Sequence, residues 1–592
     1  MFAQLLAQKT ALAVNELYGH FIESEQVSIN KTKKDYNGDY TVVVFPFTKI
    51  SKKSPELTAH EIGQWLQNAL PQVESFNVIR GYLNIFLKDE FWIDFLFKNY
   101  QNLNFGLKSL KEGQSPILIE FSSPNTNKPL HLGHIRNNLL GHSLSEILKA
   151  TGLSVVKVNL VNDRGIHICK SMLAWKKWGN GETPESIGIK GDHLVGKYYV
   201  LFEKKYQEEV SQLKANGLDE ETALRSASLI LEAQEMLRKW EAGDAETLSL
   251  WGMMNSWVYE GFNETYKRLG ISFDKIYYES DTYSIGKKIV EEGLKAGIFY
   301  QKEDGSIWVD LTSDNLDQKL LLRSDGTSVY ITQDLGCAEL RYQEFSPQKM
   351  IYVVGNEQNY HFEVLQHILQ RLGKAYADKI FHLSYGMVDL PEGKMKSREG
   401  TVVDADDLID EMVSTAREIT LELGKTSDLG ENEAQKLFSM IGLAALKYFI
   451  LKVDPKKNIL FNPAESIDFD GNTGPFIQYT HARIRSVLRK ANQWSFSPTE
   501  KINLLKEEKE ILKLLYEFPF VIEQSAKGLD PSQIANFAYE LARTYNQFYH
   551  NLSILHEPDE QRMLTRLALS QFTAQVIRIS MHLLGIEVPE QM

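Results

Sequence analysis

The apolar positions change their spacing twice along the chain, and each change marks a different kind of architecture. The first twenty residues, MFAQLLAQKTALAVNELYGH, put apolar side chains on one side of a helical wheel interrupted by Lys9 and Glu16, which predicts an amphipathic helix. Two β-branched and aromatic runs, Tyr40 to Phe45 and Tyr82 to Phe86, predict strands. Residues 1–112 therefore read as a small α+β domain. The polar, Gly- and Pro-bearing stretch from Lys111 to Pro116 predicts a linker, with a boundary near 113.

From residue 117 short apolar runs alternate with helical patterns. Ile117 to Phe121, Val155 to Val161, Met350 to Val354 and Ile380 to Tyr385 predict strands. Helical spacing predicts helices from about Gly133 to Ala150, from His361 to Leu372 and from about Ala405. Strands separated by helices imply a parallel sheet with crossovers, hence a doubly wound α/β domain over 113–455. Between about 170 and 265 the strand signal disappears into a region rich in Lys, Glu and Ala, too long for a loop, which predicts a helical insertion. From about Glu431 helical spacing dominates: Ile477, Ile484 and Leu488 share one face, and so do Ile511, Leu515 and Phe518. Residues 456–592 read as an all-α helix-bundle domain.

Composition narrows the function classes. With 592 residues, 43% hydrophobic and 24% charged, the chain is ordinary globular material for several domains at ~150 residues each. Two cysteines, Cys169 and Cys337, build neither a disulfide scaffold nor a four-thiolate zinc site, which predicts a reducing, cytoplasmic setting. The N-terminus lacks the basic segment and apolar core of a signal peptide. No stretch is expected to reach the ~18 uncharged apolar residues of a membrane span. A net charge of −13 argues against nucleic-acid binding by bulk positive charge. Acidic and basic residues balance within 475–592, so that region repels a polyanion least.

The chemistry concentrates in two loops. The first, Glu120-Phe-Ser-Ser-Pro-Asn-Thr-Asn-Lys-Pro-Leu-His-Leu-Gly-His-Ile-Arg136, lies where a strand gives way to a helix, at the edge where such sheets bind ligands. A helix start offers free N–H groups and partial positive charge to phosphate. Gly133 permits close backbone approach, His131 and His134 can donate hydrogen bonds to phosphate oxygens, and Lys128 adds a cation. Taken alone, two histidines three apart are more simply a helix start or a stray metal pair; no spacing here matches a zinc site. The second loop, Gly393-Lys-Met-Lys-Ser-Arg-Glu-Gly400, carries Lys394, Lys396 and Arg398 between glycines. It suits a pyrophosphate whose charge grows in the transition state, or else is a solvated basic loop. The near-match to a P-loop at Gly191 to Lys197 is discounted, because Tyr198 replaces the Ser or Thr that would hold Mg²⁺.

With both loops in view, the sequence resembles the class I aminoacyl-tRNA synthetases. His131-Leu-Gly-His134 is similar to their HIGH signature and Lys394-Met-Lys-Ser-Arg398 to their KMSKS loop. Further segments resemble the arginyl branch: Ser123 to His131, Val161-Asn-Asp-Arg-Gly165, Arg323 to Asp334, Tyr352 to Gln358 with His361 and Phe362, and Asn472 to Arg483. Ser397 stands where the second KMSKS lysine would be, and the resemblance offers Lys128 as its substitute.

The resemblance implies a Rossmann-like catalytic domain, an N-terminal tRNA-binding domain in 1–112 and anticodon binding in 456–592. It implies Lys128, His131, His134 and Lys394 as catalytic residues. It assigns ATP to His131, Gly133, His134, His361, Lys394, Met395 and Arg398, with Mg²⁺ arriving on the ATP and no metal or zinc held by the protein. It assigns arginine to Asn125, Glu279, Tyr330, Asp334 and Gln358; independently, a planar guanidinium with five donors is best read by carboxylates. The implied reaction forms arginyl-adenylate and pyrophosphate, then moves the arginyl group to the terminal 2′-hydroxyl of tRNA(Arg). The expected partners are tRNA(Arg), L-arginine and ATP, with no membrane, and the expected state is a monomer. The competing readings are another class I synthetase, a smaller nucleotidyltransferase, or a non-catalytic tRNA-binding relative. Aromatic residues of the last domain, including Tyr479, Trp494, Tyr516, Tyr545, Phe548 and Tyr549, are candidates for stacking on unpaired bases, although most aromatics at helical spacing are core.

Overall fold

Five short strands form the sheet that organises the centre of the molecule: β1 (Ile117–Glu120), β2 (Val155–Val161), β3 (Lys275–Tyr278), β4 (Lys349–Gly355) and β5 (Ile380–Tyr385). The computed structural model describes residues 2–32, 36–389, 403–422, 430–498 and 502–592. Across the sheet the order is β5-β4-β1-β2-β3, and every neighbouring pair is parallel. Connections leave β1 towards β2 on one side while β4 joins on the other. A crevice therefore opens outside the carboxyl ends of β1 and β4, the place where doubly wound sheets bind ligands.

Side chains alternate between two cores because strand residues point to opposite faces. Ile117 and Ile119 of β1, with Ile351 and Val353 of β4, enter a large apolar cluster that runs on into the terminal regions. Leu118, Met350 and Tyr352 enter a smaller one on the opposite face.

After β1 comes α1 (Leu132–Ala150). Between β2 and β3 lie α2 (Ile166–Trp178), α3 (Gly191–Ala215), α4 (Ser228–Glu241) and α5 (Ala245–Leu269), so the expected helical insertion is helical throughout its main elements. After β3 come α6 (Glu279–Lys295), α7 (Tyr330–Phe345), α8 (Asn359–Arg371) and α9 (Ala405–Glu422). A small antiparallel sheet of Tyr300–Gln301, Ile307–Val309 and Lys319–Leu322 sits between α6 and α7 and was not foreseen from the sequence pattern.

The C-terminal part is built from α10 (Glu431–Leu451), α11 (Gly474–Lys490), α12 (Lys506–Gly528), α13 (Ser532–Asn551) and α14 (Glu560–Leu583). One described helix, α10, is long and apolar enough to cross a membrane by length and composition, although Lys436 and Lys447 interrupt it and no uncharged run of about 18 residues is reached. It is mostly buried in the protein interior, as a core helix is. Ile477, Ile484, Ile511, Leu515 and Phe518 are all fully buried, as their spacing predicts. So are Tyr545 and Phe548, which are core residues and not stacking surfaces.

The N-terminal region pairs an antiparallel sheet, ordered Ile29–Lys31, Tyr40–Val43, Tyr82–Leu87, Val73–Ile79, with the helices Phe2–Tyr18, Pro55–Ala69 and Asp89–Asn99. It docks on α12. The Tyr516 hydroxyl accepts from the Phe2 N–H at 2.8 Å, its ring meets Phe95 edge-on at 4.9 Å, and Lys509 pairs with Asp89 at 2.6 Å.

Candidate active site

The loop from β1 to α1 is held in an unusual shape. Ser122 and Ser123 both adopt left-handed backbone, at φ 76° and 46°, a conformation costing non-glycine residues of order 1 kcal/mol or more each. Neighbours fix it: Asn137 Oδ1 accepts from the Ser122 N–H at 2.5 Å, Asn159 Oδ1 accepts from the Ser123 N–H at 3.0 Å, and the Ser122 hydroxyl meets the Tyr266 hydroxyl at 2.7 Å. The chain then runs along the β2 exit, where Thr126 N–H donates to the Asn162 carbonyl at 3.0 Å. Asn125 is left exposed at the crevice.

His131 is the N-cap of α1. Its Nδ1 accepts from the Gly133 N–H at 3.1 Å, while His134 Nδ1 accepts from the His131 N–H at 3.2 Å. With Nδ1 an acceptor in both rings, the proton of each neutral imidazole sits on Nε2. The two rings stand 4.0 Å apart. Burial, joined by the positive charge of Lys128, pushes His131 down to about 4 and holds His134 well below the ordinary histidine value. Both are therefore neutral N–H donors at physiological pH. Gly133 has a local reason beyond nucleotide approach, since a Cβ there would lie 2.9 Å from the His131 ring. Lys128 is half-buried, its pKa lowered by burial, and it has no ion-pair partner among the described residues.

Residues 390–402, which carry Lys394, Met395, Lys396, Ser397 and Arg398, lie outside the described residues. Both flanks of that segment meet the start of α1. On the entering side Arg136, fully buried, donates to the carbonyls of Met387 at 2.8 Å, Pro455 at 3.0 Å and Lys457 at 2.6 Å. On the leaving side Leu132 N–H donates to Val403 O at 3.0 Å and Ala405 N–H to Leu130 O at 2.9 Å.

The residues expected to read a guanidinium come from the starts of two helices. Glu279 opens α6 and is 6% exposed; Tyr330 opens α7 and Asp334 lies one turn on. The two helices approach backbone to backbone at Gly286 and Gly336, where added Cβ atoms would lie 1.9 Å from the Thr332 oxygen and 2.6 Å from the Gly286 nitrogen. Gln333 of α7 consequently donates to Glu279 Oε1. Burial raises Glu279 to about 7, against the pull of Arg164. Asp334 Oδ2 meets His361 Nε2 at 2.5 Å, so a residue expected on the arginine side and one expected on the ATP side are directly linked. Burial works against the charged form of His361, but Asp334 outweighs it and the net shift is upward. Tyr330 and Gln358 are exposed.

Sequence reasoning missed a charged cluster beyond Val403. His193 Nε2 of α3 lies 3.3 Å from Asp404 and 3.5 Å from Asp406. Lys190 contacts Asp406, Lys190 reaches Asp192 at 3.2 Å and Arg268 reaches Asp406 at 3.0 Å. Asp192, His193 and Asp406 are close enough together to share a cation. Lys190 and Arg268 already supply the positive charge, and no sequence motif marked the group.

A doubly wound sheet whose first strand delivers a histidine pair to a helix start, with the chain flanking residues 390–402 bonded to that same helix, is the catalytic architecture of the class I aminoacyl-tRNA synthetases. Residues 101–462 match the family described as tRNA synthetases class I (R), catalytic domain; residues 477–592 match the DALR anticodon binding domain and residues 4–87 the arginyl tRNA synthetase N terminal domain. The chain belongs to the arginyl-tRNA synthetase family. It is 57% identical over 583 residues to the arginine–tRNA ligase of Parabacteroides distasonis, covering 98% of each chain. It is 53% identical over 594 residues to that of Porphyromonas gingivalis, covering 100% of this chain and 99% of the relative. The solved arginyl-tRNA synthetase of Thermus thermophilus superposes with a TM-score of 0.79 at 25% identity, covering 100% of both chains.

Proposed function

We propose that this chain is an arginine–tRNA ligase whose two half-reactions take place in the crevice between the His131–His134 pair and the Glu279–Asp334 pair. Arginine's carboxylate attacks the α-phosphorus of MgATP, the bond to the bridging oxygen breaks, and pyrophosphate leaves. The 2′-hydroxyl of the terminal adenosine of tRNA(Arg) then attacks the carbonyl carbon of arginyl-adenylate and releases AMP.

No protein nucleophile enters either step. Alignment of the bound reactants can lower the barrier by ~7 to 11 kcal/mol. His131 and His134 donate Nε2–H to phosphate oxygens, and Lys128 and Lys394 oppose the charge that builds on the leaving pyrophosphate. Glu279 and Asp334 receive the guanidinium, with Asn125, Tyr330 and Gln358 lining the same crevice. His361, Gly133, Met395 and Arg398 complete the ATP site. Mg²⁺ enters on the ATP; the protein itself needs no zinc in this reading.

The tRNA spans the ends of the molecule, with residues 1–112 holding its body and residues 456–592 its anticodon. A cavity of about 730 Å³ in the last domain supports this, for Tyr479, Arg483, Arg489, Lys490, Tyr549 and His556 line it and offer both ring faces and cations to an unpaired base. Both cysteines are buried and unpaired, which supports a reducing, cytoplasmic setting; the enzyme works there as a monomer in this reading.

The observation that carries the reading is the close approach of α6 and α7, which sets the carboxylates of Glu279 and Asp334 on adjoining helices, in a fold whose β1–α1 turn carries a neutral imidazole pair. Aminoacylation of total tRNA with each of the twenty amino acids tests it: arginine alone should be esterified, and charging with any other amino acid overturns it.

A further inference from the structure

Glu279 is held through only one of its oxygens. Gln333 donates to Oε1, and Arg164 NH1 lies 3.8 Å from that same oxygen. Among the described residues no hydrogen bond reaches Oε2. The chain thus already holds one guanidinium against the carboxylate that is to read another.

Arg164 is itself tightly fixed. Its guanidinium lies over the Tyr283 ring at 4.3 Å and the Trp240 ring at 5.4 Å, and NH2 pairs with Glu241 at 2.8 Å. Its backbone follows Asp163, whose carboxylate accepts from the Ser280 N–H at 2.9 Å and the Ser280 hydroxyl at 2.7 Å, next to Glu279. The Asp163 carbonyl accepts from Trp251 at 2.6 Å. The loop after β2, the insertion helix α4 and the start of α6 therefore share one network. Contact with two rings and the pair with Glu241 leave little side-chain freedom, so this guanidinium is a preorganised charge and not a wandering one.

We propose that Arg164 and Gln333 are positioning residues that hold Glu279 by Oε1 and keep it ionised, so that Oε2 faces the crevice as the oxygen that receives the substrate guanidinium. The proposal rests on the reading of Glu279 as an arginine-binding residue. Its physical ground is that a buried carboxylate remains charged only when an opposite charge or donors compensate its lost hydration. The charged groups facing Glu279 are Arg164, Asp163 and Asp334, with Glu241 behind Arg164; two of the three direct neighbours are acidic, so Arg164 alone opposes protonation among them. Glu279 stands raised to about 7 even with Arg164 present. Without it the carboxyl rises further, so a larger share is protonated at physiological pH and has no claim on a cation.

The test compares Arg164→Met, Arg164→Lys, Gln333→Leu and Glu279→Gln in steady-state charging of tRNA(Arg), with the pH profile of the arginine KM as the discriminating readout. Arg164→Met should raise the arginine KM about fivefold at pH 7 for a one-unit rise of the carboxyl from about 7, approaching tenfold at lower pH, with the ATP KM and kcat at saturating arginine little changed. The loss should be recovered as pH rises, and Arg164→Lys should restore part of it. Gln333→Leu should shift the profile the same way. An unchanged arginine KM and pH profile in Arg164→Met, or a uniform fall in kcat and both KM terms, overturns the proposal. Glu279→Gln separates the two layers: if it leaves the arginine KM unmoved, the underlying reading of Glu279 fails, whereas an effect of Glu279→Gln without one of Arg164→Met refutes only the positioning role.

Discussion

The Leu132 N–H donates to the Val403 carbonyl oxygen across 3.0 Å, joining the first turn of the histidine helix to the chain leaving the KMSKS-like segment, 271 positions later. Arg136 performs the matching task on the entering side through Met387. The chain on either side of residues 390–402 is therefore tied to α1, by a few backbone bonds and one buried arginine.

Replacing that arginine should be costly. Arg136→Met strips the donor from three carbonyls, of Met387, Pro455 and Lys457, and a buried acceptor left unpaired costs about 1–3 kcal/mol. Urea unfolding should show a loss of about 3 kcal/mol or more, with pyrophosphate exchange reduced in the folded fraction. Wild-type stability and exchange would show that Arg136 anchors nothing.

The cluster beyond Val403 should make stability depend on pH in a definite direction. Burial alone would lower His193, but Asp404 and Asp406, aided by Asp192, lift it from 6.5 to about 10; Lys190 and Arg268 are the cations sharing those carboxylates. A group whose folded pKa is raised stabilises fully below its unfolded value and loses that stabilisation as pH climbs through the folded one. His193→Gln should therefore be most destabilised below pH 6.5 and converge on the parent towards pH 10. Thermal melts across this range check it; a gap that widens with rising pH contradicts it.

Close contact of α6 and α7 should be needed to unite the pocket. Gly286→Ala sets a methyl 1.9 Å from the Thr332 oxygen, so the helices must separate, at a cost of about 1–3 kcal/mol. Because Glu279 and Asp334 ride on these two helices, the arginine KM should rise more than the ATP KM. Equal changes in both would mean that the helix contact serves stability alone.

Asp334→Asn should weaken arginine use by about 100-fold, in keeping with ~2–4 kcal/mol for one partner of a charged, desolvated pair. It should also release His361. With its carboxylate partner gone, burial is left to act, and the His361 imidazole should titrate below the ordinary histidine value instead of above it. Arginine-dependent kinetics and imidazole NMR check the two halves; an unshifted His361 would deny the link between the subsites.

Much of this architecture is written in local pattern. Val155–Val161 and Ile380–Tyr385 were found at their boundaries because short runs rich in β-branched, aromatic and other apolar residues between helical patterns read as strands. His131, Gly133 and His134 were legible because a helix start needs a cap and a close approach. Arg164 and Gln333 were not, since their importance arises only when α6 and α7 touch and α4 folds over the β2 exit. The Asp404–His193 contact, 211 residues apart in sequence, left no trace in spacing. β3 and the small Tyr300 to Leu322 sheet escaped because strands of two to four residues carry no period of their own; β1, equally short, was found through the linker before it and the helical pattern after it.

The central claim concerns where two substrates lie, and a crystal structure with arginine and a non-hydrolysable ATP analogue tests it most directly. The account predicts the guanidinium in hydrogen-bond contact with Glu279 Oε2 and with Asp334, the α-phosphate within reach of His131 and His134 Nε2, and the arginine carboxylate between them. A guanidinium bound away from α6 and α7, or phosphates with no contact to either histidine, would contradict it.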